Sequence, residues 1–341
     1  MIDKELLTSS YDFVLPEHLI AKYPASPRDS ARLLVYDRKT DTITHAVFRD
    51  ILNYVPKNSA FIFNDTKVIK ARIYGQKTTG GKVELLLNRP IDETLCNVYI
   101  RSRVKVGTKL LFEHHLEAEV KELLEDGSRI VAFFKNNTPL RYEEIIEILE
   151  KIGHIPLPPY LQREDESLDE KEYQTVFAKN KGAVAAPTAS LHFTDELYKE
   201  VTSKHPYATL TLHVGSGTFK PVEVDVITKH PMHSEYYMIP PEAQKLIESS
   251  TPVIAVGTTS TRTIEYYARE KKTQGEANLF LHPKNPPIRV DHLLTNFHLP
   301  KSTLLMLVAS FVGLETTHRL YQEAIKEEYR FYSYGDAMLI L

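Results

Sequence analysis

The stretch that decides the fold runs from Thr209 to Glu235. It reads TLTLHVGSGTFKP at residues 209–221 and ends in MHSE at residues 232–235. Apolar and polar residues alternate up to His213, which predicts a strand whose polar face carries this histidine. Two glycines then allow a tight turn or a close approach to a ligand, and a proline ends the run. The pattern therefore predicts a core strand that delivers a polar loop.

This loop concentrates ionisable side chains. It contains His213, His233 and Glu235 within a short span. Imidazole and carboxylate groups are suited to general acid–base work, so the three are candidate catalytic residues. A surface histidine in a loop after a core strand is an equally consistent interpretation of His213 alone. We expect no metal, because no His-x-x-x-His or paired-cysteine spacing accompanies these groups.

A second glycine motif follows a later apolar run. VIAVGTTS at residues 253–260 predicts a strand, a glycine turn and the start of a helix. A helix N-terminus offers unpaired N–H groups that suit a carboxylate or a phosphate, although plain capping by the hydroxyls explains the pattern equally well. Neither glycine motif is a dinucleotide fingerprint or a phosphate-binding loop, which argues against NAD, FAD and ATP.

Composition describes an ordinary globular protein. Of 341 residues, 42% are hydrophobic and 26% are charged, and the formal net charge is -3. The single cysteine, Cys96, excludes an internal disulfide and fits a reducing compartment. The most apolar run, at residues 304–314, is shorter than the ~20 residues of a membrane span. We therefore expect a cytoplasmic protein without membrane contact, in which any RNA partner requires a local basic patch.

The secondary-structure pattern changes twice along the chain. Residues 61–151 consist of short β runs separated by glycine turns and end in a helical pattern, which predicts a small inserted barrel. Residues 1–60 and 152–341 alternate strands with helices. The predicted fold is therefore an α/β main domain, with a mixed sheet and helices, that is interrupted by an all-β small-barrel domain.

Positive charge collects in the predicted barrel. Between Thr66 and Val106 there are nine lysines and arginines but only three acidic residues. A solvated barrel exterior would explain this excess. A surface that follows the phosphates of a nucleic acid is the alternative.

Longer motifs give the sequence a family resemblance. They are FNDTKVI at 63–69, GGKVE at 80–84, LHVGSGTFKP at 212–221, GTTSTR at 257–262, LTNFHLPKSTL at 294–304 and YGDAM at 334–338. In this order, and over nearly the whole chain, they resemble the S-adenosylmethionine:tRNA ribosyltransferase-isomerases of queuosine biosynthesis. Ser190 stands where this family commonly has glycine, and residues 282–285 replace a more aromatic stretch.

The resemblance implies a reaction. The ribosyl part of S-adenosylmethionine is transferred to 7-aminomethyl-7-deazaguanine at the tRNA wobble position and rearranged, which gives epoxyqueuosine, adenine and methionine. S-adenosylmethionine is then a consumed substrate and no separate cofactor is expected. A base must remove a proton beside the sulfonium, and adenine needs a proton donor. The target base needs a pocket and stacking groups such as Tyr236 or Phe219.

Site residues follow from these demands, in a chain that we expect to be monomeric. For acid–base work we expect His213, His233 and Glu235. For S-adenosylmethionine we expect Gly215, Gly217, Thr218, Thr258, Thr259, Ser260 and Arg262. For tRNA we expect Lys67, Arg72, Lys82, Arg101, Arg103, His298 and Lys301. A competing placement puts the tRNA close to the chemistry, on Lys220, Arg262, His298 and Lys301.

Two other functions remain open. An S-adenosylmethionine-dependent RNA methyltransferase would share the substrates but leave S-adenosylhomocysteine. A non-catalytic RNA-binding module would rely on the barrel alone. That alternative does not explain why the densest polar motifs lie outside the barrel.

Overall fold

A computed structural model describes residues 3–219 and 221–341. The strands of the described residues are β1 (Arg32–Asp37), β2 (Thr42–Val47), β3 (Ala60–Asn64), β4 (Thr66–Val68), β5 (Arg72–Lys77), β6 (Lys82–Pro90), β7 (Leu95–Arg101), β8 (Lys109–Leu111), β9 (Leu116–Leu123), β10 (Arg129–Lys135), β11 (Thr138–Pro139), β12 (Asn180–Ala183), β13 (Tyr207–Leu212), β14 (Glu235–Met238), β15 (Val253–Val256), β16 (Gln274–Ala277), β17 (His292–Asn296) and β18 (Ala337–Ile340). The α-helices are α1 (Tyr142–Ile152), α2 (Asp169–Glu172), α3 (Asp195–Lys204), α4 (Pro241–Glu248), α5 (Thr258–Glu270), α6 (Thr303–Val312) and α7 (Leu314–Lys326).

The main domain is built on a nine-stranded mixed sheet. Its strand order is β16-β14-β13-β3-β15-β17-β18-β1-β2. The four central strands β13, β3, β15 and β17 are parallel to one another, whereas β14, β16 and β18 each pair antiparallel with a neighbour. The carboxyl ends of the four parallel strands therefore meet at one edge of the sheet.

Both faces of this sheet are covered. Phe61 and Phe63 of β3 pack into one hydrophobic cluster with α3, whereas Ile62 between them joins the cluster that contains α6 and α7. This alternation is the period of two expected for a strand buried on both faces. Thr194 caps α3, because its side chain accepts a hydrogen bond from the N–H of Leu197.

The second sheet closes into a small barrel. Strands β5 to β10 are antiparallel neighbours, and an additional β9–β10 pairing closes the ring. Leu85, Val98 and Phe133 fill its interior, and α1 packs Ile145 and Leu149 against the same cluster. The predicted mixed α/β domain with an inserted small barrel is thus confirmed.

One predicted boundary falls inside a strand of the large sheet. The barrel domain was placed from residue 61 onward, yet β3 lies between β13 and β15. The next strand, β4, pairs with β12, and the barrel strands begin only at Arg72. The apolar run of β3 indicates a strand but carries no local signal of which sheet it joins.

The apolar run at residues 304–314 forms most of buried helix α6. Among the described residues, no helix is both long and apolar enough to cross a membrane.

Candidate active site

The sequence motifs converge at the carboxyl edge of the four parallel strands. His213 follows β13, Asp65 and Thr66 follow β3, Gly257 follows β15, and Phe297 follows β17. In open α/β sheets, ligands bind at this edge. Motifs that lie far apart in the sequence therefore build one site.

Asn64 joins three of these strand ends. Its side-chain Nδ2 donates to the carbonyl of Leu212 at 3.0 Å and to Oγ1 of Thr259 at 3.2 Å. Its Oδ1 accepts from the N–H groups of Leu212 at 3.0 Å and Thr66 at 3.2 Å. Because this amide is fully buried and uses both of its ends, it fixes the loops after β3 and β13 against the start of α5.

His213 is held on two sides. The ring nitrogen Nδ1 lies 2.8 Å from Oγ1 of Thr66, and the backbone N–H of His213 donates to the backbone carbonyl of Tyr236 at 2.9 Å. The ring stacks on that of Tyr236 with centroids 6.0 Å apart. Burial lowers the pKa of His213 below its ordinary value, although the nearby charge of Asp65 acts in the opposite direction. The ring is therefore neutral near neutral pH and able to accept a proton.

Two glycines make room for the two histidines of the loop. A Cβ on Gly182, whose φ is +150°, would lie 2.8 Å from Cε1 and Nε2 of His213. A Cβ on Gly217 would lie 2.5 Å from Cδ2 of His233. Both contacts are closer than a real Cβ approaches, so each imidazole occupies the space that a side chain would need.

Glu235 and Arg262 form a buried ion pair. Nη1 of Arg262 lies 2.6 Å from Oε2 of Glu235, and the two side chains are 8% and 5% exposed. The other carboxylate oxygen accepts the N–H of Gly215 at 2.9 Å. Nη2 of Arg262 is buried and has no hydrogen-bond partner among the described residues. This N–H can donate to an anionic or carbonyl group of a ligand.

A cavity of about 610 Å³ opens between the two domains at this edge. From the barrel side it is lined by Asn88, Arg89, Asn97, Tyr99 and Asp126, and from the α/β side by Lys181, Gly182, His213, Gly215, Gly217, His233, Glu235 and Tyr236. The two sides are joined where Oδ1 of Asn88 accepts from the N–H and the hydroxyl of Ser216 at 3.2 and 3.1 Å. Such a volume suits a nucleoside-sized ligand.

A smaller cavity of about 60 Å³ lies at the N-terminus of α5. Gly257, Thr258 and Thr259 line it together with Val214, the residue next to His213. Arg262 lies between the two cavities, in a narrow gap shared with Glu235. The loop after β13 therefore separates a small cavity with a helix N-terminus from a large one with two imidazoles.

The predicted S-adenosylmethionine residues divide between these cavities. Gly215 and Gly217 line the large one, and Thr258 and Thr259 line the small one. Ser260 is fully buried, and its Oγ has no hydrogen-bond partner among the described residues. The structure does not describe the side chains of Thr218 and Phe219 or residue Lys220, so their predicted roles stay predictions.

The predicted tRNA residues of the barrel are solvent-facing in part. Lys82, Arg101 and Arg103 are exposed, and the Arg101 side chain is 84% exposed. Arg72 is mostly buried and shares Glu84 with Arg101, at 3.4 and 3.2 Å. A pair with such an exposed arginine contributes little to stability, so Arg101 remains available to phosphates.

Two more predicted lysines lie on the main domain. Lys67 is half-buried on β4, and Lys301 pairs with Asp12 at 2.7 Å.

His298 does not have the properties of a phosphate-binding residue. It is 8% exposed, and its Nε2 lies 2.7 Å from Oγ1 of Thr295. Burial lowers its pKa to about 3, so the ring carries no charge near neutral pH. The sequence placed His298 at a helix start but could not show that the turn before α6 is buried. The structure places this residue in the wall of the small cavity, and its predicted tRNA contact stays a prediction.

The sequence analysis missed several residues of the site. Asn64 and Thr66 belong to a motif that carried the family resemblance, but no role was assigned to them. Gly182 opens a stretch that also resembles the family, but it too was given no role, and Asn88 gave no signal because its partner Ser216 lies far away in the sequence. No cluster of three or more histidine, cysteine or acidic side chains suited to a metal occurs within residues 3–219 and 221–341.

Comparisons with known proteins place the chain in a family. The profile of the family described as "Queuosine biosynthesis protein" matches residues 8–340. S-adenosylmethionine:tRNA ribosyltransferase-isomerase from Sulfurimonas denitrificans is 65% identical over 100% of both chains. The protein of the same name from Campylobacter jejuni (strain 81-176) is 56% identical, again over 100% of both chains.

A solved structure is also similar. The crystal structure of S-adenosylmethionine tRNA ribosyltransferase from Thermotoga maritima is 35% identical, with a TM-score of 0.54, and the match covers 97% of this chain and 100% of that one. The resemblance inferred from the motifs is confirmed: the chain belongs to the queuosine biosynthesis protein family.

Proposed function

We propose that this chain transfers and isomerises the ribosyl moiety of S-adenosylmethionine onto 7-aminomethyl-7-deazaguanine at the tRNA wobble position, with epoxyqueuosine-tRNA, adenine and methionine as products. Family membership supports the reaction class. The observation that carries the assignment to this site is the neutral, doubly held His213, which lines the same interdomain cavity as Glu235, the partner of Arg262.

His213 is the proton acceptor in this proposal. The sulfonium of S-adenosylmethionine acidifies the protons on C5′, and a base must be neutral before it can remove one of them. Burial keeps His213 neutral by lowering its pKa, and Thr66 holds Nδ1. The second ring nitrogen, Nε2, is then the one that takes the proton.

Glu235 acts through its charge and its position. Arg262 and the N–H of Gly215 occupy its two oxygens, so the carboxylate is a fixed negative group beside the cavity. It stabilises positive charge on the sulfonium and on protonated His213. His233, seated against Gly217 in the same cavity, is the candidate donor for the departing adenine.

The two cavities suggest how S-adenosylmethionine is oriented. The small one has room for an amino-acid group but not for a nucleoside, and it lies at the partially positive N-terminus of α5. The methionine carboxylate fits there, near the hydroxyl side chains of Thr258 and Thr259. The sulfonium and ribosyl carbons then reach the loop that carries His213.

The large cavity receives the target base. A base that undergoes chemistry must leave its stack and enter a pocket. Tyr236 lines this cavity with a side chain that is 45% exposed, so its ring is accessible for stacking.

We further propose that the enzyme works in the cytoplasm as a monomer and needs no metal or separate cofactor. Exhaustive chelation should leave activity unchanged. Loss of activity that zinc or magnesium specifically restores would overturn this part of the proposal.

Product analysis tests the reaction. The protein is incubated with S-adenosylmethionine and tRNA that carries the 7-aminomethyl-7-deazaguanine base, and the small-molecule products are separated. Adenine and methionine should form in equal amounts and only with that tRNA. Formation of S-adenosylhomocysteine instead would favour the methyltransferase alternative.

A further inference from the structure

Three neighbouring barrel strands present two rows of side chains on their outer face. Strand pairing aligns Arg72 with Leu86 and Tyr99 in one row, and Tyr74 with Glu84 and Arg101 in the next. Residues two apart on a strand share a face, so all six point away from the barrel interior. They form the floor of a groove of about 580 Å³ whose other wall is the segment 157–164.

This groove continues from the large cavity. Tyr99 lines both spaces, and the turn after β9 contributes Asp126 to the cavity and Gly127 to the groove. Along β6 the face runs from Asn88 in the cavity to Glu84 in the groove. Four residues of strand span about 14 Å, so a nucleotide next to one held in the cavity can reach the groove.

The side chains in the groove suit single-stranded RNA. Tyr74 is 42% exposed, yet its ring is fixed, because the hydroxyl donates to Glu164 at 3.0 Å and the ring contacts that of His154 edge-on at 5.2 Å. The guanidinium of Arg101 lies in the same row and is mostly exposed. A rigid aromatic ring beside an arginine is the usual means of binding an unpaired base and its phosphate.

We propose that this groove binds a nucleotide adjacent to the modified base in the anticodon loop, with its base stacked on Tyr74 and its phosphate on Arg101. The proposal rests on the proposed function, because it takes the large cavity to hold the wobble base. In this proposal, the outer face of strands β5 to β7 binds the unpaired RNA that leads out of the active site.

A double-mutant cycle between protein and RNA tests the stacking. Dissociation constants are measured for wild type and Tyr74→Ala with anticodon stem-loops that are intact or abasic at single positions up to two nucleotides on either side of the wobble base. Loss of one base–aromatic stack should weaken binding of the intact stem-loop by roughly 5- to 140-fold. At one flanking position the abasic stem-loop should bind the variant no more weakly than it binds wild type, because the stack is already lost.

Two control variants separate stacking from other effects. Tyr74→Phe removes the hydroxyl bond to Glu164 but keeps the ring, and it should lose much less affinity than Tyr74→Ala. Tyr207→Ala removes an equally exposed tyrosine, 46% exposed, on β13 far along the chain from the groove, and its affinity should not change.

Strictly additive effects at every abasic position, or unchanged affinity in Tyr74→Ala, would overturn the proposal. Adenine release by wild type with the intact stem-loop is measured in parallel. It reports on the proposed function independently, so failure of the groove and failure of the reaction are distinguishable.

Discussion

Replacing Gly182 by alanine should disable the enzyme by moving one imidazole. The new Cβ would lie 2.8 Å from the His213 ring, whereas ordinary contact begins at 3.4 Å, so the ring must retreat by about 0.6 Å. A misplacement approaching 1 Å at a reacting group costs roughly 10²-fold in rate. We therefore expect kcat of Gly182→Ala to fall by roughly 30- to 100-fold, with a smaller change in KM for either substrate.

Backbone strain also accompanies this change and needs its own control. Gly182 has a φ of +150°, so alanine there costs roughly 1–3 kcal/mol of stability even without a clash. Gly275 has a φ of +140°, and no atom lies within 4 Å of a Cβ built on it. Gly275→Ala should therefore lower Tm to a similar extent and leave kcat within about twofold, since it introduces comparable strain without touching His213.

The assay measures adenine release at saturating substrates, together with thermal unfolding of both variants. The dependence of kcat/KM on pH adds a second readout. Because burial lowers the pKa of His213, the acid limb of the wild-type profile should lie below about pH 6.5. Equal loss of kcat in the two glycine variants, or full activity in Gly182→Ala, would refute the argument that the placement of His213 controls the reaction.

Three further perturbations test other parts of the account. Glu235→Gln should reduce turnover by roughly 10²-fold or more, since it removes the fixed charge beside the cavity, and near-normal turnover in a kinetic assay would contradict that role. Charge reversal at both Arg101 and Arg103 should raise the tRNA Michaelis constant and flatten the dependence of tRNA affinity on salt by about one to two phosphate contacts, while an unchanged slope would mean that these charges only solvate the barrel. Folding holds His192 and His298 neutral by burial, with pKa values of about 4 and about 3, so below about pH 6.5 the unfolded chain binds protons that the folded chain does not. Urea denaturation should show the free energy of unfolding falling by about 1.4 kcal/mol per pH unit and per histidine between about pH 6.5 and 4, and a constant value over that interval would count against the buried neutral state.

Local patterns predicted most elements of the fold. Alternation and the glycine motif identified β13 and the helix after Gly257, because strands and helix ends carry their signals within a few residues. The sheet to which β3 belongs was not predictable in this way. Its neighbours β13 and β15 lie well over a hundred residues further along the chain.

The site was predictable by residue type but not by contact. The sequence indicated that His213 and Glu235 are chemically able to act, and it marked Arg262 as a ligand-binding residue. It could not reveal that Glu235 and Arg262 form a buried pair. Nor could it reveal that Thr66 and Gly182 position His213, since these contacts exist only after folding. It also could not reveal that burial removes the charge of His298.

The fate of the ribose carbons tests the central claim most directly. S-adenosylmethionine labelled with carbon-13 in all five ribose carbons is reacted with tRNA that carries the 7-aminomethyl-7-deazaguanine base, and the modified nucleoside is analysed by mass spectrometry. The account predicts that all five labelled carbons appear in the nucleoside. A nucleoside that gains only an unlabelled methyl group would contradict it.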